Sequence, residues 1–479
     1  MRRSSSRSIC RRDFLVAGGA AVVAGALPLA PSRAATDLKQ QRLVADATRL
    51  NITGARYPDT AVWAYGNAVP GPEIRLRQGE RLRVEIENRL PQATTIHWHG
   101  VRVPNAMDGV PHLTQAPIAP GARFVYEFDA VDAGTFWYHP HERSFEQVAR
   151  GLYGALIVEE RAPIAVDRDV TWVLGDWRLQ PDAQLRDDFG SFFDVSHNGR
   201  VGNTVTINGR VPDAFSVRSS ERIRLRLINA ANARIFGLDF RGHRPWIIAL
   251  DGQPVEPHAP ESGRVTLGPA MRADLIIDCA GKPGDRFQVV DDFYQSLAYR
   301  LVDFAYTDAA SLRSAPPETS IKLPLNPLAE PDLKTAQRHR IEFAGGMMGN
   351  LAEATLGGQR VSGRALMMHH RMAWAVNGVV ATGHAHEPLI TLDRGKSYVL
   401  DMMNDTAWHH PIHLHGHSFR VLARDGKPTV HREWQDTVLM KPRERVEIAF
   451  VADNPGSWMI HCHVLEHQAG GMMGVIRVA

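Results

Sequence analysis

The sequence is poor in cysteine and aromatic residues, and it has no basic run beyond its N-terminus. Only 3 of its 479 residues are Cys, which argues against a disulfide framework. Aromatic residues make up 8% of the chain, which favours short strands joined by turns over long helices. Residues 1–34 hold six Arg and one Asp, a net +5, so the rest of the chain carries −2 of the total +3. Because a nucleic-acid-binding protein keeps a basic face, we expect no nucleic acid partner.

Long apolar runs are also missing after the N-terminus. Because a membrane span takes about 20 apolar residues, we expect no later segment to cross a membrane. At the N-terminus, Arg11 and Arg12 precede a mostly small and apolar stretch up to Ala30, and residues 31–34 fit a cleavage site. This layout is typical of a twin-arginine export signal over residues 1–34. The alternative is a membrane anchor, which the Gly/Ala-rich composition and Pro28 disfavour. We therefore expect the twin-arginine export machinery as a partner, a periplasmic location and no stable membrane insertion after signal removal.

Turn-forming residues are plentiful, with 40 Gly and 30 Pro, and they predict short strands joined by turns. Three similar segments, 64–70, 205–212 and 374–380, each precede an alternating strand that ends in Asn, at 81–88, 222–229 and 398–404. This self-similarity predicts an all-β protein of three consecutive β-sandwich domains. We place the domains at 36–162, 163–312 and 340–479, with a linker at 313–339.

Four histidine motifs lie in the first and third predicted domains, and the second domain lacks them. Each contains a His-x-His pair, and residues two apart on a strand face the same side. Eight imidazoles suit a cluster of several copper ions better than one tetrahedral zinc. The paired residues are His97 and His99, His139 and His141, His413 and His415, and His461 and His463.

A second site follows from the same alternation. If His461 and His463 face the cluster, Cys462 between them faces away, as does His410. Cys462, His410 and His467, with Met472 further on, form the His₂Cys plus axial Met set of a blue-copper centre. Met473 is the alternative axial ligand, and His409 is the alternative to His410. Because Cys462 is bonded to two cluster residues, electrons have a through-bond path between the sites.

These motifs resemble those of multicopper oxidases, specifically the three-domain, laccase-like bacterial group that includes copper-resistance and manganese-oxidation enzymes. The resemblance covers the whole mature chain. It implies three cupredoxin-like Greek-key domains and four copper ions: one type 1, one type 2 and two type 3. Within that scheme, His97 and His413 would hold the type 2 copper, and the type 3 pair would be held by His99, His139, His141, His415, His461 and His463.

The resemblance also implies that four one-electron oxidations of a reducing substrate are coupled to the reduction of O₂ to water. That reaction consumes four protons, and Asp108 matches the acidic position of the family, so it is our candidate proton relay; its alternative role is that of a turn residue before Gly109. Several bacterial relatives carry a Glu where this chain has Gln468. Since Gln does not titrate, Asp108, Glu466 or water would serve instead.

The reducing substrate is expected to be a phenol, Cu(I) or Mn(II). Residues 344–372 are rich in Gly, Met and His, and we expect them to form a loop. By analogy with the copper-resistance relatives, Met347, Met348, Met367, Met368 and Met372, with His369 and His370, would dock Cu(I); alternatively, these methionines only pack. The competing functions are a periplasmic protein that mainly sequesters copper and a structural envelope protein on the same fold.

Overall fold

The structure is a computed structural model that describes residues 38–317, 321–383 and 387–479. The predicted export signal at 1–34 lies outside these residues. In the described part of the chain, no helix combines the length and apolar character that a membrane crossing requires.

The first sandwich contains eight strands and one short helix. They are β1 (Leu38–Leu50), β2 (Thr60–Tyr65), β3 (Gly71–Arg77), β4 (Arg81–Asn88), β5 (His97–His99), β6 (Arg123–Asp129), β7 (Gly134–His139), α1 (Ser144–Gln147) and β8 (Gly154–Glu159). The strands form two sheets, ordered β2-β1-β4-β6 and β3-β8-β7-β5. Their buried faces share one core that includes Leu82, Val84, Ile86 and Trp98.

The second sandwich contains eleven strands and one short helix. They are β9 (Arg168–Trp177), α2 (Phe192–Ser196), β10 (Thr204–Ile207), β11 (Ala214–Val217), β12 (Arg222–Asn229), β13 (Phe236–Phe240), β14 (Trp246–Leu250), β15 (Gln253–His258), β16 (Arg264–Leu267), β17 (Arg272–Asp278), β18 (Arg286–Asp291) and β19 (Tyr299–Tyr306). The sheet orders are β10-β9-β12-β17-β14-β15 and β11-β19-β18-β13-β16.

The third sandwich contains the remaining strands. They are β20 (Gln337–Gly345), β21 (Glu353–Leu356), β22 (Gln359–Ser362), β23 (Trp374–Val376), β24 (Val379–Val380), β25 (Pro388–Leu392), β26 (Ser397–Asp405), β27 (His410–Leu414), β28 (Phe419–Arg424), β29 (Lys427–Pro428), β30 (Trp434–Gln435), β31 (Thr437–Met440), β32 (Arg445–Val451), β33 (Gly456–Cys462) and β34 (Met473–Val478). Two short α-helices accompany them, α3 (Gly363–Ala365) and α4 (Leu465–Ala469). One sheet has the order β22-β21-β24-β23-β20-β26-β32-β28-β29, with β30 paired to β28, and the other β25-β34-β33-β27-β31.

The three predicted alternating strands occupy equivalent places in the sandwiches. β4, β12 and β26 each pair in parallel with the first strand of their domain and antiparallel with a later one. The Asn at or near each strand end is fully buried, and its side chain bonds the following turn: Leu90 N donates to Asn88, Ala231 N to Asn229 and Thr406 N to Asn404. The predicted all-β fold of three cupredoxin-like domains is confirmed.

The region between the second and third domains is more regular than the sequence predicts. The loop expected over 344–372 is wrong, because β21 and β22 form a hairpin there and a turn of π-helix covers Leu366–His370. The predicted linker is bonded to both preceding domains: Asn326 accepts from Ala133 N (2.9 Å) and donates to Gln253 Oε1 (2.9 Å).

Candidate metal centre

The second sheets of the first and third domains bring the four histidine motifs together. In the first domain, β5 pairs with β7, and His97 lies opposite His139. In the third domain, β27 pairs with β33, and His413 lies opposite His461. The other member of each pair lies two residues further along, so each domain presents four imidazoles at one end of its sheet.

All eight imidazoles are buried, and they converge across the contact between the first and third domains. Their ring nitrogens form three groups, and within each group the chosen atoms lie within 4.8 Å of one another. The groups are His97, His99 and His413; His99, His139 and His463; and His141, His415 and His461. Each of the three groups thus contains histidines from both domains.

Hydrogen bonds hold one nitrogen of most rings and leave the other directed into the cluster. His97 Nδ1 donates to the Asp108 carbonyl (2.8 Å), and His139 Nδ1 donates to the Pro140 carbonyl (3.0 Å). Among the residues that the structure describes, seven ring nitrogens of the cluster have no hydrogen-bond partner. They are Nε2 of His97, His139, His141 and His413, Nδ1 of His99, and both nitrogens of His463.

The pair formed by His415 and His461 shows most directly that this site fits a metal. His415 Nδ1 donates to Asp108 Oδ2 (2.9 Å), and His461 Nδ1 donates to the Cys462 carbonyl (2.9 Å). Both Nε2 atoms therefore carry lone pairs, yet they lie only 3.1 Å apart. Two buried acceptors at this distance repel each other unless a cation lies between them. The residues fit copper, for which imidazole is a suitable ligand.

Burial also keeps these histidines in the neutral form that binds metal. Removal from water disfavours the imidazolium, and neighbouring histidines add to this effect. The pKa is lowered well below its usual value for His99, His139, His141, His415, His461 and His463, and it is also lowered for His413. The cluster therefore offers neutral nitrogen donors at neutral pH.

Cys462 and two histidines form a separate group on the other side of β33. Cys462 Sγ lies 3.3 Å from His410 Nδ1 and 3.7 Å from His467 Nδ1. The Nε2 atoms donate to Thr406 Oγ1 (2.8 Å) and to the His197 carbonyl (2.7 Å). The two Nδ1 lone pairs thus face each other at 3.1 Å beside the sulfur, a donor set that suits copper.

The structure distinguishes His410 from His409 and Met472 from Met473 as members of this second group. The residue that reaches Cys462 is His410, and the ring of His409 instead contacts Phe293 (5.5 Å between centroids). Met472 is fully buried in the core that contains Cys462, whereas Met473 is partly exposed. Burial raises the pKa of the Cys462 thiol, so binding a metal there requires loss of that proton.

Asp108 lies against the histidine cluster rather than only in a turn. Its side chain is 1% exposed and accepts from His415 Nδ1, while its carbonyl accepts from His97 Nδ1. The turn is tight, because a Cβ on Gly109 would lie 1.8 Å from the Ile96 carbonyl oxygen. Asp108 therefore contacts histidines of both ligand-bearing domains.

The other two residues considered for proton transfer lie in different surroundings. Gln468 Nε2 is 3.4 Å from His141 Nδ1, at the edge of the cluster. Glu466 is fully buried, and it accepts from Arg200 N (3.0 Å) and Asn232 Nδ2 (2.8 Å). Burial raises the pKa of Glu466.

Sequence reasoning missed the buried carboxylate of Asp436. Its Oδ1 accepts from His99 Nε2 (3.1 Å), and its carbonyl accepts from His413 Nδ1 (2.8 Å). Burial alone would raise the pKa of this carboxyl, but the charge and hydrogen bonds of Arg272 hold it below its usual value. In the sequence, Asp436 is an acid that precedes a short apolar stretch at 438–440, and nothing there points to Arg272.

Comparisons with known proteins agree with this site. Family models described as multicopper oxidase match residues 46–163, 168–303 and 361–479. Multicopper oxidase MmcO of Mycobacterium tuberculosis is 31% identical, covering 90% of this chain and 85% of that protein. Copper resistance protein A of Escherichia coli is 25% identical, covering 94% of each chain.

A solved structure of a multi-copper oxidase from Pseudomonas thermotolerans aligns with a TM-score of 0.80 at 33% identity, covering 93% of this chain and 100% of that one. The sequence match and the fold match therefore both extend over nearly the whole described chain. The chain belongs to the multicopper oxidase family, and it is an oxidoreductase with O₂ as its acceptor.

Proposed function

We propose that this protein is a laccase-like oxidase that binds four copper ions and couples four one-electron oxidations to the reduction of O₂ to water. His410, Cys462, His467 and Met472 would hold the type 1 ion, and His97 and His413 the type 2 ion. The type 3 pair would be held by His99, His139 and His463 on one side and by His141, His415 and His461 on the other. Bound copper would supply the one-electron chemistry and the site of O₂ reduction.

The observation that carries this proposal is the pair of facing lone pairs at each site. His415 and His461 face each other at 3.1 Å in the cluster, and His410 and His467 do so beside Cys462. In both arrangements, the two buried lone pairs repel each other and destabilise the folded protein unless a cation binds them. Cys462 is bonded directly to His461 and His463, so the two sites share one strand end. Storage of copper would not require such a connection.

The residues around the cluster support a role for Asp108 in delivering protons. Its carboxylate is buried, accepts from His415 Nδ1 (2.9 Å) and lies 3.2 Å from His97 Nδ1. A positioned carboxyl group can donate a proton to a reacting oxygen species. Gln468, although close to His141, has no proton to exchange by titration, so we assign the relay to Asp108.

The path for electrons from the reducing substrate would begin at His467. Its Nε2 donates to the His197 carbonyl, and the ring of His197 stacks on Phe193, which is 68% exposed (centroids 4.2 Å apart). The ring of Trp408 makes an edge contact with His197 (centroids 5.7 Å apart), and its Nε1 donates to the Met347 carbonyl (2.9 Å). This aromatic surface supports a phenol as donor, while the exposed Met347 and Met348 beside it support Cu(I). Mn(II) is the third donor to test.

We also propose export to the periplasm by the twin-arginine route, which the sequence Arg11-Arg12-Asp13-Phe14-Leu15 supports. Cell fractionation of the full chain and of a variant with Arg11→Lys and Arg12→Lys tests this. The altered chain is expected to stay in the cytoplasm, and its appearance in the periplasm would contradict the assignment.

The test of the oxidase function is the copper content of the purified protein, its visible and EPR spectra, and its O₂ uptake with a phenol, Cu(I) and Mn(II) in parallel. Four copper ions per chain, an intense blue band and donor-dependent O₂ uptake are the expected result. Copper without O₂ uptake above the free-copper rate would instead support a sequestering protein.

Two histidines that lie two residues apart provide a matched control. His415 belongs to the cluster, whereas His417 is buried nearby, outside every ligand group found in the described residues. His415→Asn should lower the copper content of the cluster, and His417→Asn should leave it unchanged. Equal copper loss in both variants would mean that copper binding depends on the packing of this buried segment and not on ligation by His415.

A further inference from the structure

The second domain has no histidine motif, yet it reaches two residues of the cluster. We propose that its Arg272 and Asp251 are positioning residues that hold Asp436, and that Asp436 in turn determines which ring nitrogen His99 and His413 offer to copper. This inference rests on the proposed copper ligands. It assigns a role to the domain that lacks them.

Arg272 is the first residue of β17 and is fully buried. Its guanidinium forms a two-pronged pair with Asp436 of the third domain, with Nη1 to Oδ1 at 2.9 Å and Nη2 to Oδ2 at 2.6 Å. Nε donates to the Thr135 carbonyl of the first domain (3.1 Å). One side chain therefore bonds to both ligand-bearing domains.

Asp251 strengthens this connection from the backbone side. Its Oδ1 accepts from Arg272 N (2.9 Å), and its Oδ2 accepts from Asp436 N (3.2 Å) and Thr437 N (3.0 Å). Both the side chain and the backbone of Asp436 are thus bonded to the second domain. Such two-fold attachment leaves Asp436 little freedom to rotate or shift.

Asp436 accepts hydrogen bonds from different ring nitrogens of the two histidines. Its carboxylate accepts from His99 Nε2, which leaves Nδ1 of that ring without a partner in the described structure. Its carbonyl accepts from His413 Nδ1, which leaves Nε2 unpartnered there. The two rings stack with centroids 3.8 Å apart. Residues behind metal-bound histidines fix the tautomer and ring orientation in this way.

The backbone beside His99 is shaped around the Arg272–Asp436 pair. Gly100 has a φ of +81°, and a Cβ there would lie 2.3 Å from Arg272 Nη2 and 2.4 Å from Asp436 Oδ2. Any side chain at this position would displace the ion pair. The Arg272–Asp436 pair, which connects the second domain to the cluster, therefore requires glycine at position 100.

Loss of Arg272 would leave the buried Asp436 carboxylate without its countercharge. The carboxylate would then be free to turn away from His99, and Thr437 Oγ1 (3.1 Å) would be the remaining partner that holds Nε2 of that ring. Substitutions behind metal ligands lower metal affinity by about 10- to 100-fold. The Cys462 group does not contact Asp436, so its copper should be unaffected.

The test compares Arg272→Met with Arg272→Lys and with Arg224→Met, a fully buried arginine of the same domain that pairs with Glu160 and Asp274. Copper per chain, the EPR spectrum and the blue band are measured after reconstitution, with thermal unfolding of each copper-free protein. Arg272→Met should keep the blue band but bind cluster copper about 10- to 100-fold more weakly. Arg272→Lys should restore part of that affinity, and Arg224→Met should retain all of it.

A second variant covers the case in which Arg272→Met does not fold. In Asp436→Asn, the amide must direct its NH₂ group either at Arg272 or at His99, both of which are donors, so the same loss of cluster copper is expected. Full copper content with an unchanged EPR spectrum in either folded variant would overturn the positioning role. If the unaltered protein binds no copper, the proposed function itself fails, which distinguishes the two results.

Discussion

The second sheets of the three domains have the same strand pairing but bury different chemistry. β5 and β7 in the first domain and β27 and β33 in the third carry the histidine motifs. The equivalent pair in the second domain, β13 and β18, carries Phe236, Leu238 and Phe240 on β13. The equivalent strands thus carry histidine motifs in the first and third domains and apolar residues in the second.

Buried polar groups are present in all three domains, and each domain has some that lack a partner in the described structure, but the unpartnered histidine nitrogens of the first and third domains converge on one cluster. Arg224 of the second domain is fully buried, with Nη2 bonded to Glu160 (2.8 Å) and Asp274 (2.6 Å). The cluster histidines are equally buried but leave nitrogens unpartnered in the described structure. Burial of polar side chains alone therefore does not mark a functional site. Unsatisfied atoms that converge on one point do, because folding gains nothing from them.

The largest expected effect is at the residue that connects the two sites. Cys462→Ser should remove the blue absorption and abolish turnover with external donors, because the soft sulfur ligand is lost. The histidine cluster should keep its copper, since Cys462 points away from it. Copper analysis and the visible spectrum of the variant test this, and an intense blue band in the variant would show that the ligand assignment is wrong.

A smaller effect is expected in the first domain at Asp108. Asp108→Asn can still accept from His415 but supplies no proton, so O₂ reduction should slow by about 100-fold. Reduction of the blue copper should keep its rate, and stopped-flow kinetics measure both steps. Asp132→Asn is the control, because Asp132 is buried against Arg102 (2.8 Å). If Asp108→Asn changes neither step, Asp108 is only a turn residue.

The smallest effect on turnover is expected in the second domain. Arg224→Met breaks a buried ion pair and leaves Glu160 and Asp274 uncompensated, which should cost about 3 kcal/mol of stability. Its copper content and its turnover per folded molecule should match those of the unaltered protein. Thermal unfolding and copper analysis test this. A loss of copper would show that the satisfied charges of this domain also support the metal sites, which would weaken the comparison between the domains.

Much of the site could be predicted because its motifs are local. Residues two apart on a strand share a face, so the His-x-His pairs and the opposite direction of Cys462 follow from alternation alone. The alternating strands over 81–88 and 222–229 coincide with β4 and β12. The loop expected over 344–372 was wrong because the glycines at 357 and 358, taken as signs of a loop, form the turn of the hairpin β21–β22.

The sequence by itself determined the three repeated sandwiches, the residues that can bind metal and the adjacency of Cys462 to the cluster, because these depend on strand periodicity and covalent order. Only the tertiary structure decided which histidines meet, which nitrogen each ring presents and that Asp108 touches His415. It alone showed that Arg272, far from every motif in the chain, holds Asp436 behind His99. These contacts join residues 164 or more positions apart, and no local pattern records them because they depend on how the domains pack against one another.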